Sequence, residues 1–332
     1  MKKVCIVGAG AIGGFLGTKL AAVGHAEVSA LARGSTLNAL RRYGWRLSTE
    51  TGIVQGPARA SDCASELGTQ DLVIIAVKGP ALAQVAEQIG PLLGEETVVL
   101  PAMNGVPWWF ADGIAALRGK SLESVDPGGC IARAIAPHHV VGAVVHASTS
   151  TSEPGLVVHR MGQGLIVGEP GGGHSERAQR ITDLLLAAGF DATHSACIRH
   201  DIWYKLWGNL TMNPVSALTG ATIDRVLADP LVRRFCSAAM EEASLIGTSI
   251  GCVINQSPED RHVVTAKLGA FKSSMLQDAE AGRAIELDSI VAAVRELGQH
   301  LGVPTPNIDA LFGLTRLFGR VRGLYPEAAD RA

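Results

Sequence analysis

The chain has 332 residues, 29 Lys+Arg against 31 Asp+Glu for a formal net charge of −2, and 47% hydrophobic residues. That hydrophobic content excludes low-hydrophobicity disorder, and the near-neutral balance argues against a dedicated nucleic-acid binder, which normally carries a basic excess. Charged residues are 18% of the chain, below the usual quarter, which fits a compact enzyme with broad buried surfaces, and the length suggests two domains.

The N-terminus imitates a signal peptide: Lys2 and Lys3, an apolar run from Val4 to Leu16, then Ala21-Ala22. Lys19 interrupts the pattern, and the glycines inside it have a better use. No stretch reaches 18 uninterrupted apolar residues, so no transmembrane helix is expected. The six cysteines (Cys5, Cys63, Cys130, Cys197, Cys236 and Cys252) are scattered, without C-x-x-C or clustered histidines. They read as small buried hydrophobes, with no disulfide framework and no metal site. A soluble, unprocessed, cytoplasmic protein is expected.

Lys3–Val7, Glu27–Ala32, Asp71–Val77 and Thr97–Pro101 read as strands, with helices at Ala11–Val23, Thr36–Tyr43 and Pro80–Ile89 between them. Strands apolar on both faces that alternate with helices predict a parallel, doubly wound sheet of Rossmann-like type. Further β-rich segments follow at Val140–His146, Gly155–His159 and Leu165–Val167, then a helix at Ser175–Ala188. After about Ile198 the apolar spacing becomes 3–4 residues over Asp201–Ala217, Pro230–Gly251, Ile285–Leu301 and Ile308–Val321. The expectation is a dinucleotide-binding domain over 1–197 and an all-helical domain over 198–332. The tail after Tyr325 reads as irregular.

Gly8-Ala9-Gly10-Ala11-Ile12-Gly13 satisfies G-x-G-x-x-G directly after a strand and at the start of a helix. In that context the glycines give a tight turn, close approach to a pyrophosphate and close helix–strand packing, while the helix N-terminus faces the phosphates. At the end of the second strand, where NAD enzymes usually place an acid, stands Leu31-Ala32-Arg33-Gly34-Ser35; Glu27 lies at the strand's other end. Arg33 can pair with a 2′-phosphate and Ser35 can add a hydroxyl, so NADPH is the expected cofactor. Further on, Lys205, Asn209 and Asn213 stand at i, i+4 and i+8 on an otherwise apolar helix, within about 80° of one another. Only eight of the 29 basic residues are lysines, so this one is not routine surface usage. An ammonium there can protonate a ketone oxygen, and carboxamides can fix a carboxylate or hydroxyl without adding charge. A polar seam without chemistry is the open alternative.

Together these features resemble the ketopantoate reductases (2-dehydropantoate 2-reductases), NADPH-dependent enzymes of pantothenate biosynthesis. The resemblance rests on Gly8–Gly13 and Arg33, on Val77-Lys78, on Met103-Asn104-Gly105, on the Lys205/Asn209/Asn213 helix, on Ser273–Asp278 (SSMLQD) and on Glu286-Leu287-Asp288. It implies Lys205 as general acid with Glu286 tuning it, and Asn104, Asn209, Asn213 and Ser274 around the substrate. Gly8 to Gly13, Arg33, Lys78 and Asn104 would serve the cofactor, with nicotinamide entering between the domains. On the residues alone, Ser274 as a helix N-cap, Glu286 as a helix-end acid and Lys78 as a loop cation stay open. Members of that family often carry asparagine three residues before the serine, where this chain has Phe271, and Ile223 is a second apolar departure. A 2-oxo acid with a more apolar side chain is therefore an alternative substrate, a β-hydroxyacid or opine-type dehydrogenase an alternative enzyme, and a catalytically silent NADPH sensor an alternative of another class. The expected partner is a small 2-oxo acid, with neither nucleic acid nor membrane; a homodimer stays open.

Overall fold

The computed structural model describes residues 1–327, so the irregular tail expected after Tyr325 lies, from 328 on, outside the described residues. The chain forms two compact units, Met1–Met103 with Gly129–Asp201 and Asn104–Gly128 with Ile202–Ala332. The first unit contains, in chain order, β1 (Lys3–Val7), α1 (Ala11–Val23), β2 (Glu27–Leu31), α2 (Gly34–Tyr43), β3 (Trp45–Thr49), β4 (Gly52–Gly56), β5 (Arg59–Ser61), α3 (Ala64–Leu67), β6 (Leu72–Ile75), α4 (Leu82–Gln88), β7 (Val98–Pro101), α5 (Cys130–Ala134), β8 (Gly142–Glu153), β9 (Leu156–Gly168), α6 (Glu176–Ala187) and β10 (Asp191–Ser195).

Five of these strands make an all-parallel sheet in the order β5-β2-β1-β6-β7. Its register pairs Val7 with Leu31 and with Ile75, and Ile75 with Pro101. The carboxyl ends of β1, β2, β6 and β7 therefore finish level, and the loops that leave them share one edge. A second sheet runs β10-β9-β3-β4, with β8 antiparallel on β9. Helix α1 packs against both sheets, which explains why it is apolar around its whole circumference, with Gly13 to Thr18 all buried. A Cβ at Gly17 would lie 2.6 Å from the Trp45 ring, so only glycine lets α1 approach the second sheet.

That second sheet departs from the sequence expectation. The three short β segments expected between 140 and 167 are one long hairpin, β8–β9. Its middle, Ser148-Thr149-Ser150-Thr151-Ser152, has no apolar alternation and is held by pairing with β9. Strands β4, β5 and β10 carry too few apolar residues for a period-2 signal, and in β3 the alternation of buried Trp45 and Leu47 with Arg46 and Ser48 spans only five residues; none of the four was expected from the sequence.

The second unit is helical, with no strand among the described residues: α7 (Ile198–Thr219, its first turn in the first unit), α8 (Ile223–Ala228), α9 (Pro230–Ser249), α10 (Pro258–Ala266), α11 (Ser274–Glu280), a π turn at Asp288–Ala292 running into α12 (Ala293–Leu301), and α13 (Pro306–Val321). Helix α7 docks on α9 through Trp207, whose Nε1 donates to Met240 O at 2.7 Å, and through Trp203, which lies so close that a Cβ on Gly247 would be 2.4 Å from its Nε1. Ile223 is 2% exposed and belongs to one apolar cluster with Met212 and Val215, on which Phe271 packs. Both departures from the expected polar pattern are thus part of the packing beneath α7.

A single boundary at 197/198 does not describe this division. Residues 104–128 leave the first unit because their hydrogen bonds and rings are satisfied in the second. Val106 N donates to Ser289 O at 2.8 Å. The Glu296 carboxylate accepts from the amides of Glu123 and Ser124 at 2.7 and 2.9 Å, and Phe110 stacks on Trp203 with centroids 5.9 Å apart. No helix among the described residues is long and apolar enough to cross a membrane, none of their His, Cys, Asp or Glu side chains groups as a metal site, and no disulfide joins the six cysteines.

Glu242, only 8% exposed, spends its carboxylate on the start of α13, accepting from Asn307 N, Asn307 Nδ2 and Ile308 N at 2.9, 2.7 and 3.0 Å. Its removal strands amide donors at a buried helix end. Glu242→Ala is expected to cost about 2–3 kcal/mol in urea unfolding, and an unchanged midpoint would show that α13 needs no such cap.

Candidate active site

The sheet unit carries a candidate cofactor site in the glycine loop between β1 and α1. Gly8 sits at φ +90°, a left-handed conformation open to glycine, and its amide donates to Leu31 O at 3.1 Å. A Cβ on Gly13 would lie 2.0 Å from Gly8 O, so the helix is pressed against the turn it leaves. Gly10 is the opposite case: a Cβ there would meet no atom within 4 Å. It stands at the N-cap of α1, where no side chain caps the helix, so the first-turn amides have no side-chain acceptor at the positive end of the helix dipole. An uncapped helix end beside a Cβ-free opening is what a pyrophosphate needs.

Arg33, exposed, is the N-cap of α2 and follows β2 at the same sheet edge; its Nη1 donates to Gln84 Oε1 at 3.1 Å. Glu27 lies at the far end of β2 against Arg59, 3.6 Å away, so it is not the residue at the β2 end that carries Arg33. Gln84, 51 residues from its partner, had no sequence signal. Half-buried Lys78 begins the 3₁₀ turn that follows β6 at that same edge. Ala9 is buried under the loop. Gly8 to Gly13 and Arg33 fit a dinucleotide with a 2′-phosphate.

A separate polar cluster lies wholly in the helical unit. Lys205 Nζ donates to Asn104 Oδ1 at 2.7 Å. Burial pushes the Lys205 ammonium down to about 8, and the Glu286 charge opposes that fall by favouring the protonated form. These residues come from three separated segments, and one backbone contact joins two of them. Gly105, at φ +85°, lies so near the π turn that a Cβ would be 2.4 Å from Ser289 O. In that turn the Ala293 N–H reaches back five residues to Asp288 O, and Ser289 O accepts from Val106 N. The glycine and the π turn together bring Asn104 to the element that Glu286 precedes. The Met103-Asn104-Gly105 motif noted in the sequence thus owes its glycine to this close approach, an Asn-Gly pair immediately beyond a strand.

Asn209 is half-buried, Asn213 is 6% exposed, and neither side chain has a hydrogen-bond partner among the described residues. Their donors and acceptors remain for a ligand. The stripe continues to Ser216, whose Oγ meets Ser273 Oγ in a buried contact, and Ser273 caps α11 by accepting from Leu276 N at 3.1 Å. Ser274 is therefore not the cap; it is the first, exposed residue of α11.

Known proteins share this arrangement over its length. A family model described as "Ketopantoate reductase PanE/ApbA" matches residues 4–172, and its C-terminal counterpart matches residues 197–318. A 2-dehydropantoate 2-reductase of Mesorhizobium japonicum is 43% identical over 97% of this chain and 99% of its own. A crystal structure from Ralstonia solanacearum, described provisionally as a ketopantoate reductase, is 54% identical with a TM-score of 0.94 over 98% of this chain and all of its own. A ketopantoate reductase structure from Ralstonia eutropha is 26% identical with a TM-score of 0.80 over 97% and 100%.

The loop geometry separates binding from folding. Gly10→Val fills space that no protein atom occupies, so it should leave the thermal midpoint unchanged and weaken NADPH binding more than about 10-fold, an unfavourable contact of at least ~1.4 kcal/mol. Tight NADPH binding by this variant would place the pyrophosphate elsewhere. Arg33→Ala should raise the Michaelis constant for NADPH far more than that for NADH, and equal effects would refute the phosphate contact.

Proposed function

Since the chain belongs to the ketopantoate reductase family, we propose that it reduces 2-dehydropantoate to pantoate with NADPH, Lys205 protonating the keto oxygen and Glu286 tuning that lysine. The observation that carries the reading is the Lys205 ammonium, held by Asn104 Oδ1 at 2.7 Å and brought to about 8 by burial against the pull of Glu286. NADPH, when bound, supplies a hydride to the keto carbon. Everything else is the work of the protein's own side chains.

As charge develops on the keto oxygen, the Lys205 ammonium stabilises it and transfers a proton to it, leaving a neutral amine that solvent reprotonates. An exposed lysine near its ordinary value of 10.5 holds its proton too firmly for efficient donation; at about 8 the group is still protonated at neutral pH and releases its proton more readily. Glu286 keeps the lowering from going further, which would leave too little ammonium. Asn104 aims Lys205, the unspent carboxamides of Asn209 and Asn213 orient the substrate, and Ser274 donates to its carboxylate. Gly8 to Gly13, Arg33 and Lys78 hold the cofactor. A cytoplasmic location is supported by six cysteines joined by no disulfide.

NADPH oxidation with ketopantoate, beside 2-oxo acids with apolar branches and a set of 3-hydroxy acids with NADP, tests the assignment; preferred oxidation of a 3-hydroxy acid would sink it. Lys205→Ala should lose roughly 10²–10⁴-fold in turnover, the range for a general acid, and a loss under about threefold removes Lys205 from that role. Because the acid must be protonated, kcat should fall as pH rises through about 8, and a plateau extending to pH 10 would contradict it.

A further inference from the structure

Glu286 has no regular element of its own: it stands between the turn after α11 and the helix that opens at Leu287. Such a segment has no hydrogen-bond ladder to fix it, yet a carboxylate that tunes a lysine must be held to a fraction of an ångström. What holds it comes from the residues after α13. Ile285, immediately before Glu286, donates its N–H to Leu324 O at 3.0 Å. Asp288, two residues after Glu286, accepts from the Tyr325 hydroxyl at 2.6 Å. The carboxylate is thus bracketed on both sides by one dipeptide.

That dipeptide is itself seated. Leu324 and Tyr325 are 3% and 5% exposed, and Leu324 N donates back to Gly319 O at 2.7 Å. Gly319 is small for a reason: a Cβ there would lie 2.7 Å from Tyr325 Cβ and 3.2 Å from Ile285 Cδ1. At the start of the same segment Arg283 pairs with Asp278 of α11, 3.0 Å apart.

We propose that Tyr325 is a positioning residue for the reduction: with Leu324 it clamps residues 285–288 and so fixes the Glu286 carboxylate toward Lys205. The proposal rests on the reading of Lys205 and Glu286 given above. The clamp holds Ile285 and Asp288 on either side of Glu286, so its loss is expected to act through the placement of that carboxylate.

Tyr325→Phe keeps the ring on Gly319 and removes only the hydroxyl. It should lower kcat about 10–100-fold, the scale of a small misplacement at a reacting centre, with the NADPH Michaelis constant unchanged. The basic limb of the kcat profile should also move to lower pH, because a withdrawn carboxylate no longer supports the ammonium. A merely structural tyrosine would lower the melting point and leave that limb in place. Asp288→Ala removes the same contact from its other side, keeping the test usable if the phenylalanine variant fails to fold, and the double variant should be no worse than the worse single one. Wild-type kcat and limb position in Tyr325→Phe overturn the proposal, as do additive losses in the double variant. Glu286→Gln separates the two levels: if it keeps wild-type turnover, the role of Glu286 and the clamp fall together. If it is damaged while Tyr325→Phe is intact, the clamp alone falls.

Discussion

An ammonium taken out of water is the constraint around which the helical unit is arranged. The Lys205 charge costs about 1.4 kcal/mol for each unit by which burial lowers its pKa, so reaching about 8 from 10.5 opposes folding by a few kcal/mol. The sign is definite. A lysine whose folded value lies below its unfolded one imposes that cost in full below about pH 8 and sheds it as the pH rises toward 10.5. Asn104 and Glu286 limit the cost, and each must be brought from a distant part of the chain. The π turn and the glycine pressed against it bring Asn104 to the element that Glu286 precedes.

The sheet unit solves a different problem, one of exclusion. Its glycines are of two kinds: positions where nothing but hydrogen fits, such as Gly13 and Gly17, and positions, Gly10 among several, where a Cβ would meet no atom within 4 Å. The first kind let α1 lie tightly between two sheets. Gly10, of the second kind, leaves an approach to a helix end that no side chain caps. Rigid packing around a vacant cradle is the geometry of preorganised anion binding, because the amide dipoles need not reorient when the ligand arrives.

Much of this was legible in the residues because it depends on short-range order. The parallel sheet followed from apolar runs alternating with helices, the cofactor loop from three glycines between a strand and a helix, and the Lys205 stripe from helical spacing alone. What stayed hidden depends on pairing between distant segments. Ser148–Ser152 carries no strand signal because its order comes from β9. Gln84 meets Arg33 across 51 residues, Ser273 rather than Ser274 caps α11, and Ile223 with Phe271 fills a core where polar lining was expected. The split of the units was hidden for the same reason: Val106, Glu123 and Ser124 find their partners at Ser289 and Glu296, nearly two hundred residues away in the chain.

That interleaving bears on how such a protein can change by recombination. A crossover between related genes at residue 197 would join one parent's residues 104–128 to the other parent's helices. Val106, Phe110 and the Glu123–Ser124 amides would then meet a foreign Ser289, Trp203 and Glu296, and Asn104 would come from one ancestor while Lys205, to which it is hydrogen-bonded, came from the other. An exchange that respects the physical units must move two separate stretches at once. A sheet unit and a helical unit interleaved in this way are inherited as one object, and they can diverge by point substitution far more easily than by shuffling.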